Sequence, residues 1–229
     1  VDDRYMLLVN VLFFSLGVTF TAAFIGILLG MLLSIMMIAD LRPFKNIKSK
    51  KFAFLKQFNP VPKIALFYIT VIRGTPTVVQ LFILAYVIFV GRLADTPVFV
   101  TASLAFGLNS AAYVAEIIRA GIQGLDKGQM EAARALGMSY RLSMRVVVIP
   151  QAVKKIMPAL VSEFIVLLKE TSVVSMIGGV DLTFGAKSIA SVTYRAAEPW
   201  IVVALIYLAL TTIFTYFMRK IEKRLRESD

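Results

Sequence analysis

A stretch of the chain without a single charged residue runs from Leu7 to Ala39. As a helix it is about 50 Å long, which exceeds the roughly 30 Å hydrocarbon core of a bilayer, so one tilted or extended helix can cross. Four later apolar segments have about the length that a spanning helix needs. They are Ile64–Val90, Val98–Ile118, Ile156 to about Ile177, and Trp200–Met218. We therefore predict an all-α membrane protein with about five transmembrane helices.

The composition of the chain agrees with a membrane protein. Of its 229 residues, 59% are hydrophobic and 17% are charged, whereas about 25% of the residues of a typical soluble domain are charged. The chain has no Cys and no His, which excludes disulfides, thiolate or imidazole metal ligands, Cys nucleophiles and His-based catalytic triads. An ordinary cytosolic enzyme is thereby excluded, and we expect no metal site.

The start of the chain differs from a removable signal peptide. Such a peptide has a basic start, a shorter apolar region and small residues at its cleavage site. This chain begins Val1-Asp2-Asp3, and its first apolar run is too long. We therefore interpret that run as a mature span.

The positively charged residues fall mostly on one side of the predicted spans. Most of the 25 Lys and Arg residues lie between the first and second spans, between the third and fourth spans, and after the fifth. Because loops rich in Lys and Arg stay in the cytoplasm, the amino terminus is predicted outside and the carboxyl terminus in the cytoplasm. Topology and contact with anionic lipid thus explain the net charge of +11 better than nucleic-acid binding does.

The connection between the third and fourth spans, about 120–152, is long for a membrane protein with little chemistry. Gln129–Leu136 consists of strong helix formers, and Gly137 is expected to end that helix. Ser139 can cap a second short helix, which Pro150 is expected to close. Both helices are amphipathic and cytoplasmic in this interpretation, and they either lie on lipid or dock a cytoplasmic partner.

Four separated blocks of residues carry a family resemblance. They are Arg73-Gly74-Thr75-Pro76 with Gln80-Leu81; Asn109–Glu116; Glu131-Ala132-Ala133 with Gly137 and Val147-Val148-Ile149-Pro150; and Glu163 with Lys169-Glu170-Thr171-Ser172-Val173. In this order they resemble the ABC importer permeases of the polar amino acid uptake family, whose EAA signature is the third block. Val147 and Ile149 are conservative departures from that signature. The resemblance covers most of the chain and implies the fold of a type I ABC importer permease.

The resemblance also implies that the EAA block forms a coupling helix in a groove of a separate cytoplasmic ATPase subunit. Glu131 and Arg134 would supply polar contacts. Ala132 and Ala133 would allow close approach, and Gly137 would supply the bend. The chain has no Gly-Lys dipeptide and hence no P-loop. ATP and Mg²⁺ are therefore expected on the ATPase subunit, and the chain itself is expected to be neither an enzyme nor the holder of a cofactor.

Polar residues inside the predicted spans are candidate substrate ligands, because an ionisable group there costs roughly 3 kcal/mol on insertion scales. They are Arg73, Asn109, Glu116 and Glu163. Arg73 lies about 14 Å into its span, near the midplane. Glu163 follows Pro158, whose missing amide frees a carbonyl. Glu116 lies three residues before Arg119, so an ion pair is an adequate explanation of its charge.

An amino acid presents a carboxylate, an ammonium and a side chain, and a dry site needs groups of opposite sign for them. Glu163 suits an ammonium or guanidinium, and either Arg73 or amides exposed where helices break suit the carboxylate. The two residues either bind substrate in this way or neutralise each other between packed helices. In the first case a free carboxylate at Glu163 favours a cationic substrate such as arginine, lysine or histidine.

The remaining expectations concern assembly. The segment at about 178–199 is predicted to be an outward-facing loop that receives an extracytoplasmic substrate-binding protein. Gly26 and Gly30 permit close helix approach, either within the chain or in a dimer. Five helices are few to surround a gated path, so we expect a second permease subunit in a homodimer or heterodimer. Residues 1–229 are predicted to form a single transmembrane domain.

The sequence therefore predicts the permease subunit of an ATP-driven importer for polar amino acids, with basic amino acids as the candidate substrates. The alternative is an ion-coupled secondary amino acid transporter, in which Glu163 or Glu116 carries the coupled proton. That alternative leaves the EAA block unexplained. An intramembrane hydrolase using Ser172 and Lys169 is disfavoured, because no His or other supporting group is evident.

Overall fold

The computed structural model describes residues 3–39 and 59–226. In this part of the chain there are nine α-helices and no strand: α1 Asp3–Ile38, α2 Pro60–Arg73, α3 Thr77–Ile83, α4 Val98–Gln123, α5 Lys127–Ala135, α6 Tyr140–Ser143, α7 Ile149–Glu170, α8 Leu182–Thr193 and α9 Ala197–Arg226. Two π-helical turns, Leu84–Ile88 and Met144–Val148, and two 3-10 turns, Gly91–Leu93 and Thr171–Ile177, complete the helical structure. The basic segment 40–58, on which part of the predicted topology rests, lies outside the described residues.

Within the described part of the chain, three helices are long and apolar enough to cross a membrane, namely Met6–Ile38, Val98–Gln123 and Ala197–Arg224. The bent pair Pro60–Arg73 and Thr77–Ile88 gives a fourth span if it is counted as one. Helix α7 takes the place of the remaining predicted span, but it is less apolar because it contains Lys154, Lys155, Glu163, Lys169 and Glu170. The all-α membrane fold is confirmed.

The second predicted span differs from the prediction, because it is broken and not continuous. Helices α2 and α3 meet at an angle of 104° across Gly74-Thr75-Pro76. Pro76 lacks an amide and disfavours helical geometry at the residue before it, so α2 ends there. The Gly74 amide still donates to Thr70 O at 3.0 Å, which closes the last turn of α2.

The segment between α4 and α7 follows the prediction at its centre and departs from it at its end. Gly137 ends α5 with φ +83°, and the Ser139 hydroxyl caps α6 by accepting from the Leu142 amide at 3.3 Å, as expected. The prediction that Pro150 closes the second helix is wrong. The π-helical turn leads directly into α7, and Pro150 lies in the first turn of α7, where its missing amide is tolerated.

The segment 178–199, expected to be a loop, contains the 12-residue helix α8. Asp181 caps this helix by accepting a hydrogen bond from the Phe184 amide at 2.7 Å. A buried carboxyl cap makes the helix begin here, even though the small polar residues that follow are typical of a loop.

The core forms where α1 packs against α4. Gly26 and Gly30 lie against Ser110 and Val114 of α4, where a Cβ on either glycine would come within 3.0 Å of the α4 side chain. The two glycines therefore permit a close helix contact within the chain, which is one of the two alternatives that we predicted. Around this crossing a buried apolar cluster joins α1, α3, α4, α7 and the 3-10 turn after α7. Its members include Val18, Leu81, Phe106, Leu167 and Val174.

Candidate functional site

Glu163 projects from the middle of α7 toward α4. The Ser110 hydroxyl of α4 donates to Glu163 Oε1 at 2.9 Å. The carboxyl group is half-buried, and among the described residues its other oxygen, Oε2, has no hydrogen-bond partner. One oxygen of Glu163 is therefore held by the protein, and the other remains available to an ammonium or guanidinium group.

Arg73 lies at the end of α2, next to the break before α3. Its side chain is exposed, and its guanidinium carbon lies 5.2 Å from the centroid of the Tyr113 ring of α4. Arg73 and Glu163 form no ion pair among the described residues, although their charges are close enough to interact through space. Arg73 is thus oriented by the aromatic face of Tyr113. Among the described residues, no carboxylate accepts a hydrogen bond from its guanidinium group.

Asn109 has a different environment from the other candidates. It is 2% exposed, and its Nδ2 donates to Gln80 Oε1 of α3 at 2.9 Å. Gln80 in turn donates to Ile72 O at 2.7 Å and to the Thr75 hydroxyl at 2.8 Å. Asn109 and Gln80 therefore hold the broken segment between α2 and α3 against α4. Through this contact Asn109 fixes the position of the helix end that carries Arg73.

Glu116 is paired, as the sequence suggested it could be. Arg119 Nη2 lies 2.7 Å from Glu116 Oε2 on the same helix, and Arg119 Nη1 donates to Gln123 Oε1 at 2.7 Å. The charge of Glu116 is therefore compensated within α4. The structure places Arg73 and Glu163 against α4, which itself carries Asn109, while Glu116 is engaged toward the end of that helix.

Ser110, Tyr113 and Gln80 are the functional contacts that sequence reasoning did not single out. All three belong to the blocks that carried the family resemblance, but their partners lie on other helices. The only signal in the sequence is spacing: Ser110 and Tyr113 fall on one side of α4, three residues apart. Their partners can be assigned only when the positions of α2, α3 and α7 relative to α4 are known.

Glu131-Ala132-Ala133 of the EAA block lies in the short helix α5. Asp126 caps it by accepting from the Gly128 amide at 2.9 Å. Glu131, Ala132 and Arg134 are exposed, whereas Ala133 is only 4% exposed and packs into the protein. The two alanines therefore face in different directions, with Ala133 packed inside the protein and Ala132 on its surface.

Gly137 produces the bend between α5 and α6. Its amide donates to Arg134 O at 3.0 Å, and the Met138 amide donates to Ala133 O at 3.2 Å. These two hydrogen bonds with a left-handed glycine are the Schellman ending of a helix. On the two sides of the bend, Leu136 is 79% exposed and Tyr140 is 59% exposed. We call Glu131, Ala132, Arg134, Leu136 and Tyr140 the coupling surface.

Helix α7 makes one hydrogen bond to the end of α4 and one to α5. We call the polar cluster the three candidates with their partners: Arg73, Asn109, Glu163, Gln80, Ser110 and Tyr113. Lys155 of α7 donates to Gly124 O, at the end of α4, at 2.6 Å. Gln151 of α7 donates to Gln129 Oε1 of α5 at 3.1 Å. Helix α5 is therefore joined to α7, which carries Glu163, and α7 is joined in turn to the end of α4, which carries Ser110.

Other chemistries find no support in the described residues. No group of three or more Asp or Glu residues there could hold a metal ion. In the same part of the chain, no hydrogen bond joins Ser172 and Lys169, the pair considered for a hydrolase.

The chain is similar to membrane components of known transport systems. Residues 52–227 match the family described as binding-protein-dependent transport system inner membrane component. The arginine transport system permease protein ArtQ of Bacillus subtilis is 41% identical over 217 residues, which cover 94% of this chain and 90% of that protein. A putative glutamine transport system permease protein GlnP of Rickettsia bellii is 42% identical over 159 residues, 69% of this chain and 73% of that protein.

A solved structure agrees with these sequence matches. The crystal structure of an amino acid ABC transporter with histidines matches with a TM-score of 0.82 and 43% sequence identity. The match covers 98% of this chain and 99% of the other chain.

Proposed function

Because the chain belongs to the family of binding-protein-dependent transport system inner membrane components, and is the permease subunit of an ABC amino acid importer, we propose that it moves polar amino acids by alternating access driven by a separate ATPase subunit. ATP and Mg²⁺ would bind to that subunit. The observation that carries this proposal is the exposed coupling surface, whose helix α5 is hydrogen-bonded to α7, which is itself hydrogen-bonded to the end of α4.

The coupling surface has the composition of a docking site. Leu136 and Tyr140 offer exposed apolar area, and Glu131 and Arg134 offer charges of both signs around it. An apolar centre with a polar rim is typical of a protein interface. The bend at Gly137 sets the angle between α5 and α6, so it determines whether these side chains form one continuous surface.

Recovery of the ATPase subunit tests the proposal directly. The chain is purified from native membranes together with its partners, as wild type and as the double variant Gly137→Asp with Glu131→Lys, and ATP hydrolysis is assayed. We expect the wild type to retain an ATPase and the double variant to lose it, because both the bend and one charge are altered.

Gly91→Asp is the matched control for backbone strain. Gly91 also has a positive φ, +62°, and nothing lies within 4 Å of a Cβ placed on it. This control should retain the ATPase. Failure to recover any ATPase with the folded wild-type chain would contradict the proposal and favour ion-coupled transport, which an uncoupler would abolish.

Basic amino acids are the proposed substrates. The free Glu163 Oε2 suits a cationic side chain, and the exposed Arg73 guanidinium suits the substrate carboxylate. The similar permease ArtQ is named for arginine transport, which agrees with this assignment. The similar protein GlnP is named for glutamine transport, so the family name alone does not decide the substrate.

Transport by a Glu163→Gln variant tests this assignment. Because a hydrogen bond to a charged group is lost, we expect arginine affinity to fall about 10- to 100-fold, with a smaller effect on glutamine. Glu116→Gln makes the same chemical change at a carboxylate already paired with Arg119, and it should leave arginine affinity near wild type. Unchanged arginine affinity in Glu163→Gln would contradict the assignment.

The remaining partners follow from the same proposal. A second permease subunit, identical or related, would complete the path beside Arg73 and Glu163. An extracytoplasmic binding protein would deliver the substrate to the side on which α8 lies. The chain would be a multi-pass protein of the prokaryotic inner membrane, with its amino terminus outside and its carboxyl terminus in the cytoplasm. The distribution of Lys and Arg supports this orientation.

A further inference from the structure

The length of α9 sets the depth at which its last turns lie. Its apolar part, Trp200–Met218, is about 28 Å long, which matches the roughly 30 Å hydrocarbon core. Trp200 near one end and Tyr216 near the other are exposed aromatic residues of the kind that lie at the membrane interface. Arg219 and the residues after it therefore lie at the level of the lipid headgroups.

A cavity at this level is lined by one aromatic residue and four cations. It has a volume of about 520 Å³, and we call its lining residues the basic groove: Tyr216, Arg219, Lys220, Lys223 and Arg224. All five side chains are exposed, and they share one side of α9. Glu222, the acidic neighbour on the helix, does not line the cavity. The basic groove therefore presents concentrated positive charge to the membrane interface.

The basic groove continues toward the membrane interior. An adjoining cavity of about 310 Å³ shares Tyr216 and Arg219 with it and is otherwise lined by Thr211, Thr212 and Thr215. The span itself is almost uncovered by the rest of the chain, since 6% of its apolar window is buried. A ligand that fits must therefore combine a negative headgroup with an apolar tail that runs along α9.

We propose that the basic groove binds the headgroup of an anionic phospholipid. The guanidinium groups of Arg219 and Arg224 suit two phosphate oxygens each, and the lysines add charge without fixed geometry. The Tyr216 hydroxyl can donate a further hydrogen bond to the phosphate or to the glycerol. The acyl chains lie along the exposed apolar surface of α9. Clusters of four or more cations directly after a span are typical of anionic lipid recognition.

Lipid retention by the purified transporter tests this site. The detergent-solubilised complex is titrated with phosphatidylglycerol or phosphatidylcholine, and bound lipid is counted by native mass spectrometry. We expect the wild type to retain phosphatidylglycerol preferentially. The double variant Arg219→Gln with Lys220→Gln should retain it roughly tenfold less, because two charges near the headgroup are removed. Retention of phosphatidylcholine should not change.

Two further variants keep the test decisive. Lys187→Gln with Arg195→Gln removes the same charge from the segment between α7 and α9 and should retain phosphatidylglycerol as the wild type does. If the first variant does not fold, Arg224→Gln at the far end of the basic groove is used, with an expected loss of about threefold. Equal losses in both double variants would overturn the proposal, as would unchanged retention in the groove variants.

Soluble glycerol phosphate distinguishes a lipid site from a phosphate site. It carries the anionic headgroup without acyl chains, so it should compete only weakly with phosphatidylglycerol. Displacement of the lipid at equal concentrations would show that the basic groove recognises free phosphate, and that outcome would also overturn the proposal.

Discussion

Asp181 is a carboxyl group with no exposed surface, at the turn between α7 and α8. Its Oδ1 accepts from the Phe184 amide and from the Thr183 hydroxyl at 2.7 and 2.8 Å, and its Oδ2 accepts from the Ser175 amide at 3.2 Å. Burial raises the pKa of the Asp181 carboxyl above its ordinary value because desolvation disfavours the charged form, although these hydrogen bonds oppose the shift. One side chain therefore satisfies amides of both the 3-10 turn and α8.

Replacement of Asp181 by Ala should destabilise the transporter. The change removes a helix cap and leaves buried amides without a partner, for a combined cost of about 2 to 4 kcal/mol. The thermal unfolding midpoint of the detergent-purified complex should fall by roughly 5 to 15 °C. Asp126→Ala is the matched control, because Asp126 also caps a helix but is exposed. Equal shifts for the two variants would contradict the role of burial.

At the scale of elements, a close contact joins α7, which is hydrogen-bonded to α5, to α4, which carries Asn109 and Ser110. A Cβ on Gly121 of α4 would collide with Ile156 of α7, so the two helices approach as closely as glycine permits. The hydrogen bond from Lys155 to Gly124 O lies beside this crossing. Packed elements of this kind move together, because a close-packed contact does not deform continuously.

Lys155→Met should uncouple ATP hydrolysis from transport. Methionine keeps much of the apolar stem but cannot donate to Gly124 O, so the end of α4 is released from α7. We expect the variant to retain the ATPase and to hydrolyse ATP, while substrate uptake per ATP falls several-fold in proteoliposomes. Lys187→Met makes the same charge change on α8, away from this crossing, and serves as the control. Normal uptake per ATP in Lys155→Met would rule out this coupling role.

The elements show which features could be predicted from the sequence. Helix α1 was predicted from its apolar composition, and the cap at Ser139 was predicted from the ability of a serine hydroxyl to accept a hydrogen bond. Both features depend only on neighbouring residues in the sequence. The break at Pro76 was missed because hydropathy averages over a segment and does not register a bend within it. Pro150 was misassigned because proline is compatible with either the end or the first turn of a helix.

The polar cluster was predicted less completely than the helices. Arg73, Asn109 and Glu163 were singled out because polar groups within spans are costly. Their partners could not be assigned, since Ser110, Tyr113 and Gln80 are common residue types whose role depends on which helices cross. The pairing of Glu116 with Arg119 was predictable because it depends only on spacing within one helix.

At the scale of the whole molecule, burial is distributed unevenly among the spans. In α4, 67% of the apolar window is buried by the rest of the chain, compared with 22% in α1 and 6% in α9. Helix α4 is therefore the centre of the subunit, and α9 lies at its periphery. The exposed apolar surface of α1 and α9 is left to lipid or to the second permease subunit.

The proposed orientation places α8 outside the cell and the coupling surface inside. The chain contains no Cys, so a single introduced thiol reports the side on which it lies. Tyr194, after α8, is 95% exposed, and Leu136, in the coupling surface, is 79% exposed. A membrane-impermeant maleimide should therefore label Tyr194→Cys in intact cells, and Leu136→Cys only in inverted vesicles, where a bound ATPase slows its labelling.

Arg224→Cys provides an independent reading of the carboxyl end of α9. Like Leu136→Cys, it should be labelled in inverted vesicles and not in intact cells. Unlike Leu136→Cys, it should be labelled at the same rate whether or not an ATPase is bound at the coupling surface. The cysteine-free parent shows the background in both preparations. Labelling of Arg224→Cys or Leu136→Cys in intact cells would reverse the orientation, and the coupling surface could then no longer meet a cytoplasmic ATPase.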